Sequence, residues 1–175
     1  MNETIAAMIN RRSCRKFTDQ MPTGADIDAV VEAGLYAASG MGRQSTIVVK
    51  VTNKELRDRL SAMNAAIMGK DPGFDPFYGA PAILIVLADR GVATHVYDGA
   101  LTMGNLMVAA ESLGLASIWI HRAKEEFDSE EGKAILADLG VEGDYEGIGH
   151  CALGYWDGAA PEPPARREGR VFCAE

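Results

Sequence analysis

The sequence predicts one domain, residues 1–175, of the α/β or α+β class. Three observations carry that expectation: apolar residues recur at helical spacing in several segments, short β-branched or apolar runs alternate with them, and no repeat or linker divides the 175 residues. A chain of this length buries roughly 70% of its unfolded surface, enough for a core without disulfide or metal staples.

The elements follow in order. Asn2 is placed to cap a helix reaching about Arg12, with Ile5, Met8 and Ile9 on one stripe. Thr23 caps the next helix, GADIDAVVEAGLYAAS, where Ile27, Val30, Val31, Leu35 and Ala38 recur at helical period. TIVVKVT reads as a strand, Asn53 caps the helix KELRDRLSAMNAAIM, and GKDPGFDPFYGAP is a loop dense in Gly and Pro. AILIVLAD is a continuous apolar run, as expected of a central strand buried on both faces. From Val96 to Leu113 the helical pattern is apolar on most sides, which calls for cover either in the middle of the fold or at a subunit interface. LASIWI is a third strand, SEEGKAILADLG a capped helix and GIGHCALGYW a fourth strand. Pro161, Pro163 and Pro164 mark an extended tail laid on the body, with RVFCA as a candidate final strand.

Composition excludes several function classes. With 17 basic against 25 acidic residues the net charge is -8, so the long-range field repels a nucleic-acid backbone or an anionic membrane. No apolar run approaches the roughly 18 residues of a membrane span. The segment MNETIAAMINRR lacks the pattern of a signal peptide, and a cytoplasmic protein is expected. Cys14, Cys151 and Cys173 form no CxxC pair, and His95, His121 and His150 share no ligand spacing, so no metal site is expected.

The basic residues are unevenly placed. Arg11, Arg12, Arg15 and Lys16 sit near one end, and Arg166, Arg167 and Arg170 near the other. Guanidinium groups match phosphate oxygens with paired, charge-assisted hydrogen bonds, and Ser13 adds a hydroxyl within reach. The plain alternative is a solvated charge run complementing a helix C-terminus. The glycines of GIGHCALG lie inside a strand pattern with no helix after them, so the dinucleotide fingerprint fails on context. The acidic pairs Glu125–Glu126 and Glu130–Glu131 sit at helix starts and read as structural.

Five segments in order, RRSCRKF, AASGMGRQS, FYGAPAILIV, DGALTMGNLMVAAESLGLASIWI and LGYWDGAAPEPPARREGRV, resemble the FMN-dependent nitroreductase family over nearly the whole chain. The resemblance implies an α+β fold, a central mixed β-sheet flanked by helices, and an intertwined homodimer with FMN at the subunit interface. It also implies site residues. Arg11, Arg12 and Ser13 would face the FMN phosphate and ribityl chain, with Arg166 of the tail closing on the same phosphate. Arg15 matches a cationic position beside the flavin N1 and O2 edge, where fixed positive charge favours the reduced form. Ser39 and Gln44 match polar positions that reach the flavin from the other subunit. Asn64 matches an amide near the ring, and His121 and Arg122 occupy a turn whose backbone lies near the N5 and O4 edge.

The chain also departs from the family pattern. Ala38, Gly42, Ser45 and Thr46 replace a proline, an asparagine, a second proline and a tryptophan; Pro164 stands for a lysine; and Arg122 stands where a small residue is common. The implied activity is ping-pong hydride transfer from NAD(P)H through FMN to an electron-poor acceptor such as a nitroaromatic or quinone. A flavin-binding sensor or accessory module without turnover is the second reading, and a domain holding some other phosphate metabolite is the third. No catalytic side chain is expected, because the cofactor carries the chemistry.

Overall fold

A computed structural model describes residues 1–71 and 73–174. The elements are α1 (Glu3–Asn10), α2 (Gly24–Leu35), a short 3-10 turn (Gly40–Gly42), β1 (Thr46–Val51), α3 (Lys54–Ile67), β2 (Ala82–Asp89), α4 (His95–Ser112), β3 (Ala116–Ile120), α5 (Ala123–Asp128), α6 (Glu130–Asp138) and β4 (Tyr145–Gly154). The class is α+β.

Side-chain caps start four of the helices as their sequences suggest. Asn2 Oδ1 accepts from Ile5 N at 3.0 Å, Thr23 Oγ1 from Asp26 N at 3.1 Å, Asn53 Oδ1 from Leu56 N at 2.9 Å and Ser129 Oγ from Gly132 N at 3.0 Å. Helix α5 is marked in the sequence only by the acidic pair Glu125–Glu126 at a helix start. Its six residues are too few to show a helical period, and its N-cap Arg122 has a left-handed backbone instead of a capping side chain.

The sheet order is β1-β2-β4-β3. The expectation of a mixed sheet is corrected here: every pairing between these strands is antiparallel, and parallel geometry occurs among the described residues only as an isolated Ser13–Ser117 bridge. Because β2 is central, its alternating side chains are buried on both faces. Ile83, Ile85 and Leu87 meet Leu60, Phe77 and Phe127 on one side. Leu84 and Val86 meet Val30, Met103 and Leu106 on the other.

The glycines of β4 serve close packing. A Cβ at Gly149 would run into the Trp119 indole, and one at Gly147 into the Ala123 carbonyl. Between them the register with β2 slips: Val86 faces Gly149 while Leu87 faces Gly147.

Three outer features lie open within this chain, and of these the α1 stripe and the tail differ from expectation. Within this chain α4 buries Met103, Leu106 and Ala110 but leaves Val96, Tyr97 and Leu101 exposed. The α1 stripe of Ile5, Met8 and Ile9 is exposed as well, with Ala7 the buried residue of that helix. Residues 158–174 are exposed and RVFCA forms no strand, because an extended run becomes a strand only where it meets an unpaired edge, and this one meets neither edge of its own sheet.

Candidate functional site

The basic segment is held in extended form beside the sheet. Cys14 N donates to Ser117 O at 3.0 Å, Phe17 pairs with Trp156, Thr18 N donates to Tyr155 O at 3.0 Å, and Asp157 N donates to Lys16 O at 3.0 Å. Cys14 and Phe17 point into the core, which fixes where the residues between and before them can go. Lys16 is taken by Asp157 in an exposed ion pair of 2.7 Å.

Arg11 and Arg12 are not a solvated charge run. Arg12 Nη1 donates to Ile9 O at 2.9 Å and to Arg11 O at 2.5 Å. Arg11 Nη1 and Arg12 Nε and Nη2 are buried and have no acceptor among the described residues. A buried guanidinium nitrogen without an acceptor carries its full desolvation cost, so this arrangement suits a fixed anion. Burial pushes the Cys151 thiol up to about 12 against the opposing field of Arg11, so that thiol remains protonated.

A cavity of about 310 Å³ opens beyond this segment, lined by Arg15, Phe74, Tyr78, Trp119, His121 and Arg122, among others. Behind it lies a polar chain that sequence reasoning saw only in part. Arg122 Nε donates to Asn64 Oδ1 at 2.9 Å, and Asn64 Nδ2 donates to His121 O at 2.9 Å and to Glu126 Oε1 at 2.5 Å. The amide orientation is therefore fixed, with its oxygen toward a donor and its nitrogen toward two acceptors. Glu126 Oε2 lies 2.9 Å from His150 Nε2, close enough to pair but without the alignment of a well-formed hydrogen bond. The His150 ring, wholly buried, is flanked by Phe77 at 5.2 Å and Phe127 at 6.2 Å. Glu126 thus does more than complement a helix dipole, and no spacing in the sequence pairs it with His150, 24 positions away.

Ser39 and Gln44 line a different cavity, of about 590 Å³, with Tyr36 and Gly42. Gln44 N donates to Ser39 Oγ at 2.9 Å, closing the loop on itself. Buried Asp98 anchors that loop by accepting from Gly40 N at 2.9 Å and Ser45 Oγ at 2.7 Å. Burial opposes ionisation of Asp98, yet the hydrogen bonds from Ser45, Gly40 and Thr94 together hold its carboxyl below the usual range. Thr46, at a position where the sequence departs from the family pattern, bonds Thr102 at 3.0 Å instead of facing either cavity.

Arg166 stays within the tail. Its Nε and Nη2 both donate to Pro164 O, at 3.1 and 2.7 Å, and it makes no hydrogen bond or ion pair with the N-terminal cluster among the described residues. The two ends of the chain meet at residues 16–18 and 155–157. One chain therefore brings Arg15, His121 and Arg122 together around a cavity with Asn64 behind it and Arg11, Arg12 and Ser13 on the adjoining segment, and leaves Ser39, Gln44 and Arg166 elsewhere.

A profile of the Nitroreductase family matches residues 8–155. Among curated relatives, the FMN reductase (NADPH) of Bacillus subtilis is 28% identical over 143 residues, covering 73% of this chain and 57% of that protein. The NADPH-flavin oxidoreductase of Vibrio harveyi is 33% identical over 129 residues, covering 69% and 54%. The chain spans about half the length of these curated relatives. Among solved structures, a nitroreductase with bound FMN from Bacteroides fragilis superposes with a TM-score of 0.89 at 30% identity, each chain covered over 100%. One from Desulfitobacterium hafniense, also with bound FMN, gives 0.89 at 29% identity with the same coverage.

Proposed function

This chain belongs to the nitroreductase family, and from that premise we propose that it is an FMN-dependent oxidoreductase. Its substrates are NAD(P)H and an electron-poor acceptor such as a nitroaromatic or quinone. The observation that carries this reading is the set of buried guanidinium nitrogens on Arg11 and Arg12 that lack acceptors, which suits the phosphate of a nucleotide. When bound, FMN supplies the hydride-accepting and hydride-donating centre, in ping-pong exchange between the two substrates.

The chain's own residues bind and orient. Arg11, Arg12 and Ser13 hold the phosphate and the adjoining ribityl hydroxyls. Arg15, carried on a backbone held at Cys14 and Phe17, would supply positive charge to the N1 and O2 edge of the ring. Asn64 holds the His121–Arg122 turn in place, and that turn would serve the N5 and O4 edge. Ser39, Gln44 and Arg166, remote from this group in one chain, reach the flavin from a second copy in a homodimer. The relatives named for FMN reduction with NADPH, and the FMN held by the solved neighbours, support this assignment.

The experiment is direct. Purified protein should be yellow with an oxidised-flavin spectrum, and NAD(P)H should bleach it in the absence of oxygen. Protein that takes up no FMN on reconstitution overturns the reading. Protein that binds FMN but is never reduced by NAD(P)H is a binding module instead.

A further inference from the structure

We propose that Arg122 makes the acceptor subsite selective for aromatic anions, a carboxylate on a single ring being the simplest; this rests on the flavin reading of the same cavity. Three observations converge on it.

The first is the way Arg122 is tethered. Its Nε is spent on Asn64 Oδ1 at 2.9 Å, and Asn64 is itself wholly buried and fixed by Glu126 and His121. Neither terminal nitrogen of Arg122 has a hydrogen bond or ion pair among the described residues. A guanidinium anchored through Nε keeps both Nη groups for an outside partner, and it has lost much of its rotamer entropy before that partner arrives.

The second is the charge around the cavity. Arg15 and Arg122 line it, no Asp or Glu among the described residues does, and Lys70 Nζ lies over the Phe74 ring, 5.8 Å from its centroid. Asp75, the acid nearest in sequence to the lining residues Phe74 and Pro76, is consumed by Arg57, Ser61 and two backbone N–H groups. Glu126 is turned away beneath Asn64. In a chain of net charge -8, the described lining of this cavity carries two cations and no acid. Arg15 answers to the flavin edge in the reading above, which leaves Arg122 as the tethered cation for the acceptor.

The third is the wall. Phe74, Tyr78 and Pro76 line the cavity with aromatic and apolar groups, the kind of surface on which a planar aromatic ring stacks. Cation and aromatic wall together describe an aromatic ring bearing negative charge, where a neutral quinone would use only the wall.

The test uses FMN-loaded protein and binding without turnover. Benzoate and benzamide, of nearly equal shape, are titrated against the bound flavin's absorption bands. Wild type should bind benzoate about tenfold or more tighter than benzamide, as one charge-assisted contact predicts. In Arg122→Gln the two affinities should converge to within about threefold. Raising salt to about 0.5 M should shrink the wild-type preference, an outcome that needs no variant to fold. Equal affinities in wild type, a preference indifferent to salt, or one that survives in folded Arg122→Gln overturns the inference while leaving the flavin reading intact. Protein that takes up no FMN overturns both.

Discussion

Asn64 Nδ2 donates to Glu126 Oε1 at 2.5 Å, and both side chains are wholly buried. Replacing Asn64 by Leu strands the Glu126 oxygen, the His121 carbonyl and the Arg122 Nε at once. Two or more buried groups without partners should lower stability by about 3 kcal/mol. Urea unfolding measures that loss. Glu126→Gln, which preserves shape and can still accept from Asn64, should cost less than half as much; equal losses would show that volume, not the hydrogen-bonded chain, holds this part of the core.

The guanidinium nitrogens of Arg11 and Arg12 predict a split result. Arg11→Ala and Arg12→Ala should each weaken FMN binding by about tenfold or more, read by titration of flavin fluorescence. The flavin-free protein should lose little stability in Arg11→Ala, or gain some, because its buried Nη1 has no acceptor to forfeit, whereas Arg12→Ala also gives up the bonds from Nη1 to the Ile9 and Arg11 carbonyls. Unchanged FMN affinity in both variants removes these residues from the phosphate site.

These two cases show what the sequence makes legible and what it hides. Helix starts, the doubly buried run of β2 and the basic segment are local features, written in caps, in continuous apolarity and in clustering, and the structure has them where the residues suggest. The Arg122–Asn64–Glu126–His150 chain is not local. Its members are separated by 58, 62 and 24 positions and meet only because α3 and α5 pack on the face of the sheet where β4 carries His150. Asn64, His121 and Arg122 entered through family resemblance, and Glu126 and His150 entered only with the fold. The parallel strand pairing implied for the sheet and the tail strand failed for a related reason: strand partners are set by three-dimensional edges, and propensity does not report which edge is free.

Arg57 and Asp75 fix the loop that presents Phe74, Pro76 and Tyr78 to the cavity. Arg57 Nε donates to Ala80 O at 3.0 Å and its Nη2 to Asp75, which also accepts from Ser61 Oγ at 2.7 Å and Gly79 N at 2.7 Å. Burial works against the Asp75 carboxylate, but the guanidinium, hydroxyl and amide donors together hold its carboxyl below the usual range. A group whose folded pKa is depressed adds stability above its unfolded value of about 3.9 and loses it as pH falls through the lower folded value. Wild type should therefore lose stability as acid is added below about pH 4. Asp75→Asn should be less stable at neutral pH and show a shallower acid limb. Urea midpoints from neutral to strongly acidic pH would show it, and an unchanged limb would sink the assignment.

The three thiols should separate sharply. Cys14 and Cys151 are buried and Cys173 is exposed. Burial raises Cys14, a backbone hydrogen bond at Lys16 opposing only in part, and carries Cys151 up to about 12. A thiol reagent at mildly alkaline pH should modify Cys173 quickly in the folded protein and all three in urea. Fast native labelling of Cys151 would show that the core around β4 opens far more readily than its burial implies.

The last prediction concerns the surfaces left uncovered. On α4, Tyr97 and Leu101 are 74% and 51% exposed, and Ile5, Met8 and Ile9 form an exposed apolar stripe on α1, which packs against α4. Phe172 in the tail is 90% exposed. Exposed apolar residues of this kind, on two helices that pack together, mark an interaction surface. On the proposed reading the occupant is a second copy, which also carries Ser39, Gln44 and Arg166 to a flavin they cannot reach within their own chain. Wild type should therefore sediment as a dimer. Leu101→Glu places a charge in that surface, which should raise the dissociation constant by about a hundredfold or more and lower FMN occupancy in parallel. The parallel is the discriminating result, because a helix face that merely repels water when mutated would leave flavin binding alone. A monomeric wild type holding stoichiometric FMN would disprove the shared site, and the role given to Ser39, Gln44 and Arg166 would go with it.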